Sequence, residues 1–359
     1  MNTPTDASLF SSLHAPWDSN DNVIWLASTI KLSRNIEKFH FAHKLATDRK
    51  KQLLSLILNA FSGAKMPVQF TICKAELLQP TEKEFLIEHF LLSDGLQEAR
   101  VGAAVGFDTT GTRLILFNCK DHITLQKTDV DGTLEKSLEE LVTIENAAAE
   151  ELNFAFSEKY GFLTTDPLQC GTGCSISCFL HVPGLIHTAT LTSALEKEKC
   201  EAVVATGLLG NPDEFLGDIV VLKNLYTLGV TEENTASTMQ NAVLHFVLSE
   251  KEARRKIRDE KTPAIVDMIL RAVGLLKYSY VLEVPETLNA LSLIKLGLEI
   301  GWLKGIKNKE INRLFFDCRR SHLRAALSET VDKNQIVRER AEYLRRAVAT
   351  LELCIEPKN

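Results

Sequence analysis

The sequence predicts an α+β protein, a mostly antiparallel sheet with flanking helices followed by an all-helical C-terminal domain. Three observations carry that expectation. Short strand-like runs follow one another without the regular strand-helix alternation of a doubly wound sheet. Helix starts are marked by caps and prolines. After Tyr226 every segment has helical spacing. At 359 residues the chain exceeds the usual single-domain size. It divides into a flexible N-terminus at 1–20, a sheet domain at 21–261 and a helical domain at 262–359.

Along the chain, Val23 to Ala27 reads as a buried strand and Thr47 to Phe61 as a helix with Gly63 as its stop signal. Thr81-Glu82-Lys83-Glu84 fits a capping box, because hydroxyl and carboxylate can each satisfy an orphan amide; a helix through Leu91 follows. Arg113 to Cys119 and Ile123 to Gln126 read as strands, and Leu134 to Phe156 as a long helix. Further strands fit Ser175 to Val182, Ala202 to Leu208 and Ile219 to Leu222. Thr231 caps a helix that opens with Glu232 and Glu233 and closes with Lys251, Arg254, Arg255 and Lys256, an order that complements the helix dipole at both ends. Pro263, Pro285 and Asp332 mark later helix starts.

Charge and composition exclude several function classes. A net charge of −6 argues against a broad nucleic-acid surface. Met1 to Asp21 has neither the basic cluster nor the apolar core of a secretory signal. The most apolar later stretch, Ile265 to Leu276, is broken by Asp267 and Arg271, short of the ~20 apolar residues a bilayer requires. Eight cysteines in a chain of this length point to reduced thiols and a cytoplasmic location. The sequence has no Walker-type phosphate loop, dinucleotide fingerprint or fixed-period repeat, and Gly171-Thr172-Gly173 is too short to count alone.

Four stretches in collinear order resemble the ATP:guanido phosphotransferase family. They are Ala27-Ser28-Thr29-Ile30-Lys31-Leu32-Ser33-Arg34-Asn35, then Glu88-His89-Phe90-Leu91-Leu92-Ser93, then Asn118 through Asp121-His122 to Gln126, and Leu163 to Ser177. Thr206 to Asn211 with Glu214 to Gly217 is similar to a further family segment. Leu288 to Ile306 resembles the helical C-terminal domain of the bacterial protein-arginine kinases, the McsB type, so the likeness runs from Trp17 to the last helix. The resemblance implies a guanido-kinase catalytic fold, Mg-ATP as co-substrate, a homodimer through the helical domain, and a McsA-like activator and Clp-type ATPase as partners.

Phosphoryl transfer asks a protein mainly to position groups and neutralise phosphate oxygens, a task suited to the planar fork of arginine. The resemblance implies nucleotide-side positions at Ser28, Thr29, Lys31, Arg34, Phe90, Thr124, Ser175 and Thr206. Where it implies five arginines, the chain has Thr29, Lys31, Thr124, Ser175 and Thr206. Four charge-assisted bonds at about 1.5–3 kcal/mol each would amount to roughly 6–12 kcal/mol of lost transition-state binding. The implied glutamate base falls at Lys120, beside Cys119, Asp121 and His122; the implied substrate-side positions are Asp166 and Asn211. Lysine there repels a cationic arginine and is no base near neutral pH unless desolvated. Of the implied phosphoarginine pocket at Ile336, Val337, Arg340 and Ala341, only the last two match the motif.

Alternation points the same way. It sets Cys174, Ile176, Cys178, Leu180 and Val182 on one strand face and Ser175, Ser177, Phe179 and His181 on the other, and it groups His122, Thr124 and Gln126. A polar, uncharged cleft is expected. Competing readings are blander. Cys170, Cys174 and Cys178, with Cys119 and His122, invite a metal site, but two of the thiols share an apolar face, so no metal is assigned. Cys119 beside Lys120 is the candidate reactive thiol, with packing the preferred account. Asp121-His122 suggests acid-base chemistry, yet structural retention explains it better. Lys31 and Arg34 would bind phosphate, or serve as a surface lysine and a salt-bridged arginine. Arg254-Arg255-Lys256-Ile257-Arg258 reads as a solvated helix end. The leading expectation is a pseudokinase acting as an interaction or regulatory module in protein quality control. The alternative is a divergent active protein-arginine kinase using Lys31, Arg34 and Lys120.

Overall fold

The computed structural model describes residues 13, 21–63, 65–92, 95–197, 202–327 and 333–355. The expected flexible N-terminus apart from Leu13, Trp17, Ser93 and the helix start at Asp332 lie outside the described residues.

Eight strands form one sheet in the order β2-β3-β4-β5-β1-β8-β10-β9, every neighbouring pair antiparallel. They are β1 (Trp25–Arg34), β2 (Thr71–Lys74), β3 (Ala104–Phe107), β4 (Arg113–Phe117), β5 (Ile123–Asp129), β8 (Cys174–His181), β9 (Val203–Gly207) and β10 (Ile219–Asn224). The short pair β6 (Phe156–Ser157) and β7 (Gly161–Phe162) stands apart. Helices α1 (Thr47–Phe61), α2 (Pro80–His89), α3 (Leu134–Ala149), α4 (Pro183–His187), α5 (Leu191–Lys197) and α6 (Glu232–Glu260) surround the sheet. Helices α7 (Pro263–Tyr278), α8 (Val284–Glu299), α9 (Asn308–Asp317), α10 (Arg320–Leu327) and α11 (Lys333–Ala347) complete the helical region. The α+β architecture with an antiparallel sheet and a helical C-terminal region is the one the sequence predicts.

Several boundaries differ, each for a local reason. β1 runs to Arg34 rather than stopping at Ala27, because it is a central strand buried on both faces and its polar residues pair into the ladder. The capping box of α2 is made by Gln79 and Glu82, two residues before the expected one, with Pro80 in the first turn. That helix ends at His89, and Leu91 adopts a left-handed φ of 53°. α3 ends at Ala149, not Phe156, because Phe154 bridges to Ile36 and Ala155 donates to the Asn35 carbonyl. β2 and β3 were not expected, being four residues each. The region after Tyr226 is not wholly helical, since β11 (Leu303–Lys304) pairs with β12 (Glu352–Leu353). Thr231 caps α6 by accepting from Asn234 N–H, as expected. The run at 254–258 is not simply a solvated helix end, because α6 continues to Glu260 and Arg254 is buried.

Three apolar clusters explain where an opening is left. On one sheet face Ile30, Leu32, Ile115, Leu125, Cys174, Ile176, Cys178 and Leu222 pack under α1, α3 and α6. On the other face the sheet is covered twice. At the β3-β4 end, Val105, Phe107, Leu114 and Leu116 pack with Phe85, Leu86 and Phe90 of the α2 region. At the opposite end, Ala27, Phe179, Ile219 and Val221 join the helical region through Leu288, Leu291, Phe315 and Phe316. Between these two covers the middle strands carry a groove, where Lys31, Thr124, Ser175 and Ser177 are part-exposed.

Candidate functional site

The open stretch is a groove made of two adjoining cavities, about 150 Å³ and 260 Å³. Its floor follows from strand register. Thr128, Thr29, Ser177, Lys223 and Val204 lie in one cross-strand row, Gln126, Lys31 and Ser175 in the next, and Thr124 with Ser33 in a third. With side chains alternating every residue, all of these point to the same face. Lys31, Ser33, Cys119, Lys120, Thr124, Gln126, Ser175 and Lys223 line the smaller, polar cavity. Leu91, Phe179, Leu208, Leu216, Val221 and Leu288 line the larger, apolar one. Lys31, Ser177 and Lys223 belong to both.

Four of the five positions where arginines were implied, Thr29, Lys31, Thr124 and Ser175, are therefore brought together on the groove floor. Thr206 sits on the same face one row on, opposite Val221, with its Oγ1 buried and without a partner among the described residues. The floor is polar as expected, but it is not uncharged. Lys31 and Lys223 rise from it. Lys223 was missed because the strand was expected to stop at Leu222; extending the alternation past Val221 would have found it.

Other expected site residues are placed elsewhere. Ser28 and Arg34 are in phase with Ile30 and Leu32, so they lie on the opposite face from the groove. Ser28 Oγ donates to Cys178 Sγ at 3.4 Å and accepts from Trp25 Nε1. Arg34 is 1% exposed and bound to Glu145 at 2.5 Å and 3.0 Å and to Glu232 at 3.2 Å. It also donates to the Ser33 and Thr172 carbonyls and lies 3.7 Å from the Phe162 ring centroid. A guanidinium committed this fully holds the fold and cannot turn to a phosphate. Phe90 is fully buried in the α2 cluster and offers the groove only its carbonyl, which accepts from Gln126 Nε2 at 2.6 Å. Asn211 lies in the turn after β9, where its carbonyl accepts from Gly207 N–H and its side chain from Asp213 N–H.

At the substrate end the two replaced residues meet. Lys120 Nζ stands 3.6 Å from Asp166 Oδ2, with the lysine side chain 39% exposed. Asp166 also accepts from Leu168 N–H, starting a single 3-10 turn at Pro167–Gln169. Asp121 and His122 are structural. Asp121 Oδ1 accepts from Asn35 Nδ2 and from Thr165 N–H, each at 2.7 Å. His122 Nδ1 accepts from Ile36 N–H, so its proton sits on Nε2 and is donated to the His40 carbonyl, both at 2.9 Å. Burial lowers the His122 pKa, which keeps the ring neutral. Cys174 and Cys178 are buried on the core face, where burial pushes the Cys178 thiol up to about 12 and Cys174 further.

Glycine in the Gly171-Thr172-Gly173 segment serves close packing. A Cβ on Gly171 (φ 116°) would stand 2.2 Å from the Thr227 carbonyl oxygen, and one on Gly173 (φ 61°) 2.7 Å from that of Ser33. In the helical region, Arg340 is not an open anion receptor. It is buried, with Nε donating to the Cys318 carbonyl and Nη1 to the Leu282 carbonyl, both at 2.6 Å. Ile336 and Ala341 are buried beside it, and the Val337 carbonyl accepts from Leu282 N–H.

The helical region supplies one wall of the groove through Val284, Leu288 and Arg319. It also reaches α2 on the other wall. Arg320 forms a forked pair with Glu84, and His322 Nδ1 lies 3.2 Å from Glu88, a groove-lining residue. Nothing in the sequence around Arg319 signals this, because only the tertiary placement of α9 and α10 brings it there.

Mg-ATP fits this floor poorly. A triphosphate calls for several forked cations, and the floor presents hydroxyls with two lysines, while the walls add Glu88, Lys120 paired with Asp166, and Arg319 bound to the Phe315 carbonyl.

Comparison with known proteins places the fold. Against solved structures, the chain superposes on a duplicated taurocyamine kinase from Schistosoma mansoni with a TM-score of 0.58 at 22% identity, covering 70% of this chain and 36% of that one. A lombricine kinase matches with a TM-score of 0.57 at 18% identity, over 68% and 70%. The chain thus spans about a third of the duplicated kinase. Residues 52–253 match the ATP:guanido phosphotransferase C-terminal catalytic domain, and 262–358 the C-terminal domain of protein-arginine kinase McsB. Protein-arginine kinase of Chlamydia pneumoniae is 34% identical over 91% of both chains, and that of Bacillus cereus 29% identical over 84% of this chain and 86% of its own. No helix among the described residues is long and apolar enough to cross a membrane. With both family domains matched in order and relatives aligned over most of their length, the chain belongs to the protein-arginine kinases of the ATP:guanido phosphotransferase family.

Proposed function

We propose that this chain is a pseudokinase, a guanido-kinase fold kept as an interaction or regulatory module in protein quality control. The observation that carries the reading is the groove floor. Thr29, Thr124 and Ser175 stand together where the resemblance implies arginines, and Lys120 pairs with Asp166 where a base is implied. Neutral hydroxyls cannot neutralise phosphoryl oxygens as they develop charge, and an ammonium repels the guanidinium it would have to deprotonate. The partners proposed are those the family suggests: a McsA-like activator, a Clp-type ATPase and a second copy of the chain, in the cytoplasm. Calorimetry with Mg-ATP, together with a phosphoarginine assay on a basic protein, tests this. Tight nucleotide binding with phosphoarginine formation would sink it.

A second reading has one observation in its favour. Lys31, Lys120 and Lys223 all line the polar cavity. A divergent active protein-arginine kinase would use them around the nucleotide, and Mg-ATP would then raise the melting temperature by mass action. No shift at millimolar Mg-ATP counts against it.

A further inference from the structure

We propose that the groove is a binding site for a phosphomonoester carried on an apolar body, with the phosphate over Ser177 between Lys31 and Lys223 and the body against Phe179, Leu208 and Leu288. The inference goes beyond the pseudokinase reading, because it concerns what the altered groove takes up rather than what it has lost.

The groove has two chemically distinct ends that meet at one place. Lys31 on β1 and Lys223 on β10 flank β8, two strand spacings (about 10 Å) apart across the sheet and offset by one cross-strand row. Both line both cavities, as does Ser177 between them. Long lysine stems suit this, since they lie along apolar surface and carry the ammonium to the polar junction. An anion there takes charge-assisted bonds from two sides and hydroxyl bonds from the floor. Beyond the junction the walls turn apolar, and the 260 Å³ cavity is large enough for a ring or short chain but offers few polar partners.

Charge limits the head to a single oxyanion group. Beside Lys31 and Lys223 stands Glu88 on the wall, and the further lysine of the polar cavity, Lys120, is paired with Asp166, so a polyphosphate at the junction would meet a carboxylate rather than a third cation. Arg319, the remaining cation of the larger cavity, donates through Nε to the Phe315 carbonyl at 3.1 Å and stacks on Phe316, tied to the apolar end.

The donors at the junction favour phosphate over carboxylate. Two ammoniums, Lys31 and Lys223, and the hydroxyls of Ser177 and its cross-strand neighbour Thr29 line it. A phosphomonoester near pH 7, mostly dianionic with a second pKa near 6, offers them two charges and three terminal oxygens, where a carboxylate offers one charge and two oxygens.

The test is calorimetry on the full chain with four probes: 1-naphthyl phosphate, 1-naphthoate, inorganic phosphate and Mg-ATP. Naphthyl phosphate should bind at least tenfold more tightly than each of the others. Lys223→Gln should weaken it about tenfold or more, a charge-assisted bond's worth. Leu209→Asp, a change at a largely exposed residue of the apolar wall, should weaken naphthyl phosphate but not inorganic phosphate. Equal binding of naphthyl and inorganic phosphate, or indifference to both substitutions, overturns the proposal. Naphthoate binding as tightly as naphthyl phosphate overturns the phosphate assignment. Tightest binding of Mg-ATP overturns the proposal too, and only phosphoarginine formation with it would also bring down the pseudokinase reading.

Discussion

Lys295 on α8 should give the protein a distinct pH profile of stability. Its ammonium is fully buried and donates to the Asn22 carbonyl at 3.1 Å, to Asn312 Oδ1 at 2.7 Å and to Asn308 Oδ1. Three acceptors match three N–H bonds, yet none carries a charge. Burial, then repulsion from Arg254, lowers its pKa from 10.5 to about 7. The folded value lies below the unfolded one, so between about pH 7 and 10.5 the unfolded chain holds a proton the folded chain has lost. Stability from this group therefore rises with pH across that window, by up to ~1.4 kcal/mol per pH unit and about 5 kcal/mol in all. Below pH 7 the full cost of burying the charge is present. Lys295→Met removes that cost but leaves three oxygens short of a donor, at about 1–3 kcal/mol each, so near pH 6 the two effects largely offset. Above neutrality they part. Urea denaturation followed by circular dichroism under reducing conditions, from pH 6 to 9.5, should show the wild type gaining on the variant by about 1.4 kcal/mol per unit above pH 7.5. Parallel stability curves for the two proteins would refute the reasoning.

Arg34→Met should cost about 3–5 kcal/mol, since it leaves the buried Glu145 carboxylate and the half-buried Glu232 without their cation; an unchanged denaturation midpoint would contradict this. Lys120→Glu and Ser175→Arg, made singly, should leave phosphoarginine formation at background, because groups that act as a unit are not restored one at a time; activity in either, read by mass spectrometry, would show a site far closer to function. Deleting the chain after Lys261 uncovers Phe179, Ile219 and Val221, so the truncated protein should aggregate or bind a hydrophobic dye where the full chain does not; a soluble, well-folded fragment would disprove that dependence. Size-exclusion chromatography with light scattering should show the full chain as a dimer, and a strictly monomeric elution would count against the assembly role.

The parts of the site that could be read from sequence were those governed by a single strand's period. Ser175 and Ser177 against Cys174, Ile176 and Cys178 came out as alternation requires. Arg34 shows where motif likeness and periodicity conflict: its position in the family stretch suggested phosphate, while its phase with Ile30 and Leu32 put it under the sheet. Periodicity is the better guide there, but it is out of reach when the strand is expected to stop at Ala27. Lys223 was lost to a strand ended two residues early, and β2 and β3 to their shortness, since four residues carry too few alternations to stand out. The wall made by Leu288 and Arg319 depends on how distant elements pack, which no local pattern encodes. The capping box moved from Thr81 to Gln79 because Pro80 fills the first turn.

The alternation of β1 and β8 has a practical side for protein engineering. Ser175, Ser177 and Thr29 can be exchanged as a group while Cys174, Ile176, Cys178 and Ile30, their chain neighbours, keep their own layer intact. A combinatorial library restricted to the groove-side residues of these strands would sample binding chemistry almost independently of folding, the two traits being written on opposite sides of the same backbone. Selection from such a library could install a new ligand, or the arginines of an active relative, without first rebuilding the core.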